Sequence, residues 1–383
     1  MTPRPTIAFL FINGIHHVYH AAMTAMALSE SQRDFRVLLV SSHREQTRVI
    51  EQIKARFPRA ENEIVTLPEP IVFRYLNFIN KAYPPPTGSL KKARRHLRDA
   101  VAIVSTSHAT KRHCDKYGIV GPKHIYHCHG CGDGKYGFET SLQAFDLMLT
   151  PGPYYRQRLI DETRMPPEKL RVIGWPKLDL PVDGAALRKR LFTNNRPTVL
   201  YCPHWNPRLS SYREWGRDVL AYFSRSDKYN LIFAPHVQLR HWAYHYKYNT
   251  DLREYACDHM HVDWGSTASA DTSYLRAADI YLGDVSSMVY EFVGVKPRPC
   301  VFLNTHGVKW QGDPNYRYWD MGPVVDSIAE LDAKLTEAIC GQNYIELQTE
   351  RIKEYLDLTA EPSSQRAARA VEEFARFQLT PAG

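Results

Sequence analysis

Asp284, Ser286 and Ser287 follow directly on the apolar run Ile280–Gly283 in the segment ADIYLGDVSSMVYEF, and a helix-like pattern follows them. A strand that ends in such a loop at the start of a helix aims backbone N–H groups and hydroxyls at one point, which suits a phosphate or diphosphate. Helix capping by Asp and Ser is the competing explanation, and it leaves one of the two loop hydroxyls redundant. Asp284 would be repelled by a bare diphosphate, so it reads as a loop orienter or as a partner for a hydroxyl of the ligand.

Other polar residues end apolar runs in the same manner. His129-Gly130 follows HIYHC, Trp175-Pro176 follows LRVIG, Pro203-His204-Trp205-Asn206 follows TVLYC, and His236 follows NLIFAP. An imidazole titrates near neutrality, which suits His129 to taking a proton from a hydroxyl, and Gly130 beside it lets substrate approach the backbone. Substrate binding without proton transfer is its alternative role. His236 suits electrostatic stabilisation of a diphosphate, or else support of its neighbours.

Gly130–Lys135 resembles a phosphate loop only superficially, because Tyr136 stands where Ser or Thr is required; Lys135 is either a phosphate contact or a solvated lysine. His124, His127, Cys128, His129 and Cys131 are zinc-type ligands, but strand alternation turns Cys128 away from His127 and His129, and no Cys-x-x-Cys follows. No metal site is expected.

These residues need elements to position them. TIAFLFI, FRVLLVSS, NEIVTL, VAIVSTS, HIYHCHG, FDLMLT and LRVIGW alternate with helix-like stretches, and the runs are too apolar to have a wet face. A Pro-, Gly- and charge-rich stretch from Asp179 to Arg196 precedes a second series, PTVLYCP, NLIFAPH, HVDWG, ADIYLGD and PCVFLN, and a mostly helical tail from Ile328 to Arg376. The expected fold is α/β: two Rossmann-like lobes, residues 1–183 and 184–383, with parallel sheets facing a central cleft. Ligands of such sheets sit beyond the carboxyl ends of the strands, where the polar residues stand.

A chain of 383 residues supports two such cores. Seven Cys without a regular framework fit a reducing compartment and a cytoplasmic protein. The apolar run at the N-terminus is broken by Asn13, Gly14 and two histidines, so it reads as a first strand rather than a signal segment. The net charge of +8 favours anionic partners, with Lys91, Lys92, Arg94, Arg95 and Arg98 concentrated after an aromatic segment containing Phe73, Tyr75, Phe78 and Tyr83. This region is an ordinary solvated helix face or a docking site for a membrane or acidic acceptor; no nucleic-acid module accompanies it.

YHCHGCGDGKYG, VIGWPKLD, LYCPHWN, FAPHVQL and AADIYLGDVSSMVYEF, in this order, resemble the CDP-glycerol glycerophosphotransferase family, whose GT-B-fold members build teichoic-acid-like and some capsular polymers of the cell envelope. The resemblance spans about Ile125 to Phe292. It implies catalysis by His129, with Gly130 beside it, a second site histidine at His236, and Asp284, Ser286 and Ser287 at the donor phosphates; Lys135, Pro203 and His204 are further donor-binding candidates on their own placement. It implies a donor-binding C-terminal lobe, an acceptor-facing N-terminal lobe, CDP-glycerol as donor, a lipid-linked glycan or anionic polymer as acceptor, and work at the inner face of the cell membrane as a peripheral protein. No tightly bound cofactor is implied, and at most weak assistance by Mg2+.

The chain departs from the family where Cys131-Gly132-Asp133 follows the HG pair, and where His204-Trp205-Asn206 replaces a Thr-Trp-Arg pattern; Arg208, Arg213 and Arg240 are candidate substitutes for that arginine. A GT-B glycosyltransferase using a nucleotide-activated sugar and a catalytically degenerate nucleotide-binding adaptor are the alternative functions.

Overall fold

The computed structural model describes residues 4–69, 71, 86–134, 137–239, 252, 255 and 257–380. Its apolar runs are the strands expected of them. The first seven are β1 (Thr6–Phe11), β2 (Arg36–Ser41), β3 (Asn62–Thr66), β4 (Ala102–Ser105), β5 (Lys123–His127), β6 (Leu147–Thr150) and β7 (Leu170–Val172). All pair in parallel, in the order β3-β2-β1-β4-β5-β6-β7. Ile7, Ala8, Phe9, Ile103, Val104 and Leu149 are wholly buried, because helices cover both faces of the sheet and leave no wet side.

The second series gives β8 (Thr198–Cys202), β9 (Asn230–Phe233), β10 (Met260–Val262), β11 (Ile280–Gly283), β12 (Cys300–Leu303) and β13 (Val324–Val325), again all parallel, in the order β10-β9-β8-β11-β12-β13. Strand β13, two residues long, carries too little pattern to be read from sequence. Both sheets have the doubly wound order in which the first strand of the series lies beside the fourth. Two Rossmann-like units with parallel sheets make this a GT-B-like α/β fold.

The compact units are residues 1–129, 138–180 and 354–383 for the first, and 130–137 and 181–353 for the second. The chain thus crosses at Leu180–Pro181, three residues from the expected boundary. It also crosses twice around Gly130–Gly137, and it returns near Lys353. The C-terminal helix Ser363–Leu379, assigned by sequence to the second lobe, lies in the first unit instead. There it packs on the helix Val18–Ser31 through Ala367, Ala368, Val371 and Ala375, whose small side chains permit close approach. Asp179 accepts from Ser364 N–H at 2.6 Å at the start of this helix, and Gly174, at φ +79°, brings the chain after β7 against Ser363. The region that reads as a linker also holds the helix Gly184–Leu191, capped by Asp183.

The basic cluster falls on the helix Pro86–Leu97. Leu90, Ala93 and Leu97 are buried, while Lys91, Lys92, Arg94 and Arg95, followed by Arg98, are exposed. The aromatic segment with Phe73, Tyr75, Phe78 and Tyr83 lies outside the described residues, as do Lys135 and Arg240.

Candidate functional site

In the second unit the switch point falls between β8 and β11, and the loops following these two strands carry Pro203-His204 and Asp284–Ser287. Asp284 is buried and bonded throughout. Its carboxylate accepts from His204 N–H at 2.9 and 3.1 Å, from Ser211 N–H at 2.6 Å and from Ser211 Oγ at 2.9 Å. Burial pushes the carboxyl up to about 6, against the pull of these donors. Of its two expected roles, loop orientation is the one these bonds carry, because the oxygens face the interior of the unit.

The hydrogen bonds of β8 to β9 continue past the strand ends, with His236 N–H donating to the Pro203 carbonyl at 3.1 Å. The rings of His204 and His236 lie 6.1 Å apart, centre to centre, and His204 stacks on Trp205 at 5.5 Å. Each ring is held the same way. His204 Nδ1 accepts from Asn206 N–H at 3.0 Å and His236 Nδ1 from Gln238 N–H at 3.2 Å, so in the neutral rings both protons sit on Nε2. Burial lowers His204 to about 4, opposed by the Asn206 bond, and the ring is therefore a neutral N–H donor at pH 7.

The helix Met288–Val295 starts directly after the second loop. Ser286 is buried and its Oγ accepts from Met288 N–H at 3.3 Å, while Ser287, the N-cap residue, is half-buried and makes no side-chain capping bond. Capping therefore accounts for one of the two hydroxyls and not the other. The segment beginning at Gly130 lies on this helix start. A Cβ on Gly130 would stand 4.0 Å from Ser287 Oγ, and one on Gly132 would stand 3.0 Å from Ser287 Cβ and 3.3 Å from its Cα. Asp133, wholly buried, anchors the segment by accepting from Tyr290 O–H and Tyr318 N–H, both at 2.9 Å.

In the first unit His129 follows β5, half-buried, with Nδ1 3.1 Å from Tyr126 Oη. Its ring centre lies 4.3 Å from that of His17 and 5.8 Å from that of His108. Burial, reinforced by the nearby His108, His16 and His127, lowers His129 to about 3, with a bond to the Thr106 backbone acting the other way. The ring is a free base at neutral pH. An anionic ligand raises its proton affinity, which is the condition for accepting a proton during a reaction. His127, expected on the same side, is a buried core residue, with Nε2 3.0 Å from Thr24 Oγ1 and Nδ1 bonded to the Cys128 carbonyl.

Pro203, His204, His236, Asp284, Ser286 and Ser287 thus gather at the switch point of the second unit, where Gly130 also packs, and His129 stands beyond a strand end of the first. Arg208 and Arg213 are exposed near this region, and Trp175 is buried in the first unit. Asp133 was not legible as an anchor. Its only sequence signal is a carboxylate between two glycines in a segment too polar to suggest burial.

No family model and no curated protein matches the sequence. Solved structures do match the fold. The wall teichoic acid polymerase TagF, in its H444N variant soaked with CDPG, is similar with a TM-score of 0.63 and 16% identity, covering 98% of this chain and 90% of that one. A putative UDP-N-acetylglucosamine 2-epimerase from Listeria monocytogenes is similar with a TM-score of 0.65 and 13% identity, over 99% of both chains. HepE from Anabaena, in complex with UDP and glucose, gives 0.53 and 11%, over 96% of this chain and 99% of that one.

Proposed function

We propose that the chain is a glycerophosphotransferase that moves glycerol phosphate from CDP-glycerol to a hydroxyl of a lipid-linked glycan or cell-surface polymer and releases CMP. The observation that carries this reading is the second unit's switch point, where Ser287 Oγ is not used for capping beside a helix start and two histidines have their protons placed on Nε2. Neutral N–H and O–H donors recognise a diphosphate without needing charged partners. The order of the HG, PHWN, APH and DVSS segments supports this donor, and the similarity to TagF over nearly the whole chain supports the fold that such a reaction uses.

In the reaction, His129 takes the proton of the acceptor hydroxyl. The acceptor oxygen bonds to the phosphorus that carries glycerol, the bond from that phosphorus to the bridging oxygen breaks, and CMP departs with the electron pair. His236, with His204 and Ser287, stabilises charge on the diphosphate, and Gly130 admits the substrate close to the backbone. Asp284 holds the His204 loop. Weak assistance by Mg2+ would neutralise charge on the donor's phosphates.

The acceptor's lipid places the protein at the inner membrane face. Residues 86–123 hold nine Lys and Arg against two Asp, nearly the whole excess charge of the chain, which supports attraction to an anionic surface. Among the described residues no helix is long and apolar enough to cross a membrane.

A second reading, transfer of a sugar from a nucleotide-activated donor, uses the same cradle with attack at an anomeric carbon. The similarity to HepE, whose structure contains UDP and glucose, favours it as the alternative. A nucleotide-binding adaptor without turnover is the third. Purified protein incubated with CDP-glycerol and lipid-linked glycan extracts distinguishes them by mass spectrometry. Acceptor-dependent CMP release with a glycerol-phosphate mass gain, abolished in His129→Ala, is the expected result. Turnover of a UDP- or CMP-sugar instead establishes the second reading, and nucleotide binding with no turnover the third.

A further inference from the structure

In the second unit Ser211 stands at the start of the helix Tyr212–Arg225, where a serine hydroxyl ordinarily caps. It makes no side-chain capping bond there; Tyr212 N–H donates to Ser210 Oγ at 3.2 Å instead. The Ser211 hydroxyl is spent elsewhere. It donates to the Asp284 carboxylate at 2.9 Å, beside the bond from its own N–H at 2.6 Å, and its other neighbour is Tyr201 Oη, on β8, at 3.0 Å.

The direction of this relay follows from chemistry. An ionised carboxylate only accepts, so the single hydroxyl proton of Ser211 points to Asp284, and the Tyr201 O–H donates to Ser211 Oγ. Tyr201 and Ser211 are 0% exposed and Asp284 1%, so bulk water does not compete for these bonds. The relay leaves β8 through the Tyr201 side chain and returns, through Asp284, to the His204 N–H on the loop that follows the same strand. Pairing of Tyr201 with Leu282 sets β8 and β11 in the register that brings the two loops together. Trp319 Nε1 donates to the Asp284 carbonyl at 3.1 Å and holds the backbone beneath the carboxylate.

The titratable groups around Asp284 are the phenols of Tyr201 on β8, Tyr281 on β11 and Tyr318 in the turn Pro314–Met321, with the His204 ring on the loop it holds. Burial keeps the three phenols protonated and the His204 ring neutral at pH 7. Burial also pushes Asp284 up to about 6, opposed by the Ser211 N–H and hydroxyl and by the N–H groups of His204 and Val285. Weakening one of these donors moves the carboxyl higher still. Once protonated, it presents an O–H where the surrounding groups need an acceptor.

We propose that Tyr201 and Ser211 are positioning residues: through Asp284 they set the His204 loop and decide how far into acid the second unit binds a nucleoside diphosphate. Neither residue touches the ligand. The nucleotide rests on the transfer reading above; the relay does not. If Tyr201 only pairs its buried hydroxyl, its removal lowers stability and leaves the titration of Asp284 where it was.

The test is a pH titration of the full chain by amide NMR, in which the His204 and Ser211 N–H signals report ionisation of the carboxylate they bind, with CDP titrations over the same range. In the wild type both signals move in one step near pH 6. Tyr201→Phe keeps the ring on Phe233, 5.4 Å away, and loses the hydroxyl; it is expected to raise the step by about half a pH unit. Ser211→Ala raises it by about one unit, and Ser211→Thr, which keeps a hydroxyl, restores most of the difference. At pH 6 CDP affinity falls about twofold in Tyr201→Phe and about fivefold in Ser211→Ala, and the loss shrinks toward pH 8. Steps identical to wild type in Tyr201→Phe and Ser211→Ala, whatever their melting temperatures, overturn the relay. Moved steps with CDP affinity unchanged at every pH overturn the positioning role. Should Ser211→Ala not fold, Tyr201→Phe and Ser211→Thr carry the comparison. Moved steps in a protein that binds no CDP support the relay and remove the transfer reading; CDP binding and CMP release with unmoved steps do the reverse.

Discussion

Both carboxylate oxygens of Asp284 lie within hydrogen-bond reach of the His204 backbone N–H, at 2.9 and 3.1 Å, joining the two loops that flank the second unit's switch point. The position of the His204 ring is thus set by a residue eighty positions away. This relationship gives the carboxylate a task that does not involve touching the ligand.

Asp284→Ala leaves the buried N–H groups of His204 and Ser211 without their acceptor, at about 1–3 kcal/mol for each group stranded. A lowered melting temperature and CDP binding weakened by at least about tenfold are expected, since the misplaced loop carries His204. Asp284→Asn retains one acceptor oxygen and should fall between. Calorimetry and a binding titration check both; wild-type stability and affinity in the alanine variant would remove Asp284 as the loop's organiser.

The two serines should separate. Ser286→Ala loses the bond to Met288 N–H and is expected to cost about 1 kcal/mol of stability. Ser287→Ala removes no capping bond, so stability should stay within about 0.5 kcal/mol while CDP affinity falls several-fold, the worth of about 1 kcal/mol. Equal effects of both variants on melting, with unchanged CDP binding, would return the loop to simple capping.

Gly132 and Asp133 hold the Gly130 segment on the same helix start. In Gly132→Ala the new methyl meets Ser287 at 3.0 Å, a contact that displaces backbone rather than a flexible tip, and a loss of about 1–3 kcal/mol is expected. Asp133→Ala strands Tyr318 N–H and Tyr290 O–H, whereas Asp133→Asn keeps an oxygen for them and should be milder. Urea unfolding curves rank the three; an unaffected Asp133→Ala would show that the anchor is dispensable.

Acid should unfold the protein early. The fully buried His43, His124 and His127 all sit at about 4 because of burial, while in the unfolded chain they titrate near 6.5. The folded state therefore binds fewer protons, and stability falls as pH drops from about 6.5 toward 4. Holding one histidine at about 4 corresponds to about 3 kcal/mol. A typical margin is about 5–15 kcal/mol, so protonation of a few is enough to unfold the chain. Asp284 acts in the opposite sense: raised from 3.8 to about 6, it favours folding at low pH and loses that contribution as pH rises through 6. The histidines outnumber it, and a melting temperature falling steeply between pH 7 and pH 5 is expected. A flat profile over that range would contradict the buried neutral rings.

Much of the fold was legible because parallel strands covered on both faces are continuous apolar runs. TIAFLFI, TVLYC and ADIYLG are strands where their composition places them, and His129, His204, His236 and Asp284 stand at strand ends. Residues whose importance depends on a distant partner were not legible. His16 and His17 look like an interruption of an apolar run until Thr106, eighty-nine positions from His17, closes against it. Lys177 looks like a loop lysine until its burial is seen.

Local pattern, then, determined the class of elements, the count of two parallel sheets and the residues at the strand ends, because burial periodicity and turn chemistry act within a few residues. Tertiary structure decided the strand order, and with it the two switch points, since pairing between strands is a long-range choice that composition does not encode. It also returned the C-terminal helix to the first unit, where Asp179 meets Ser364 N–H, and turned Asp284 inward to His204 and Ser211, because a buried carboxylate keeps its place only where several donors converge.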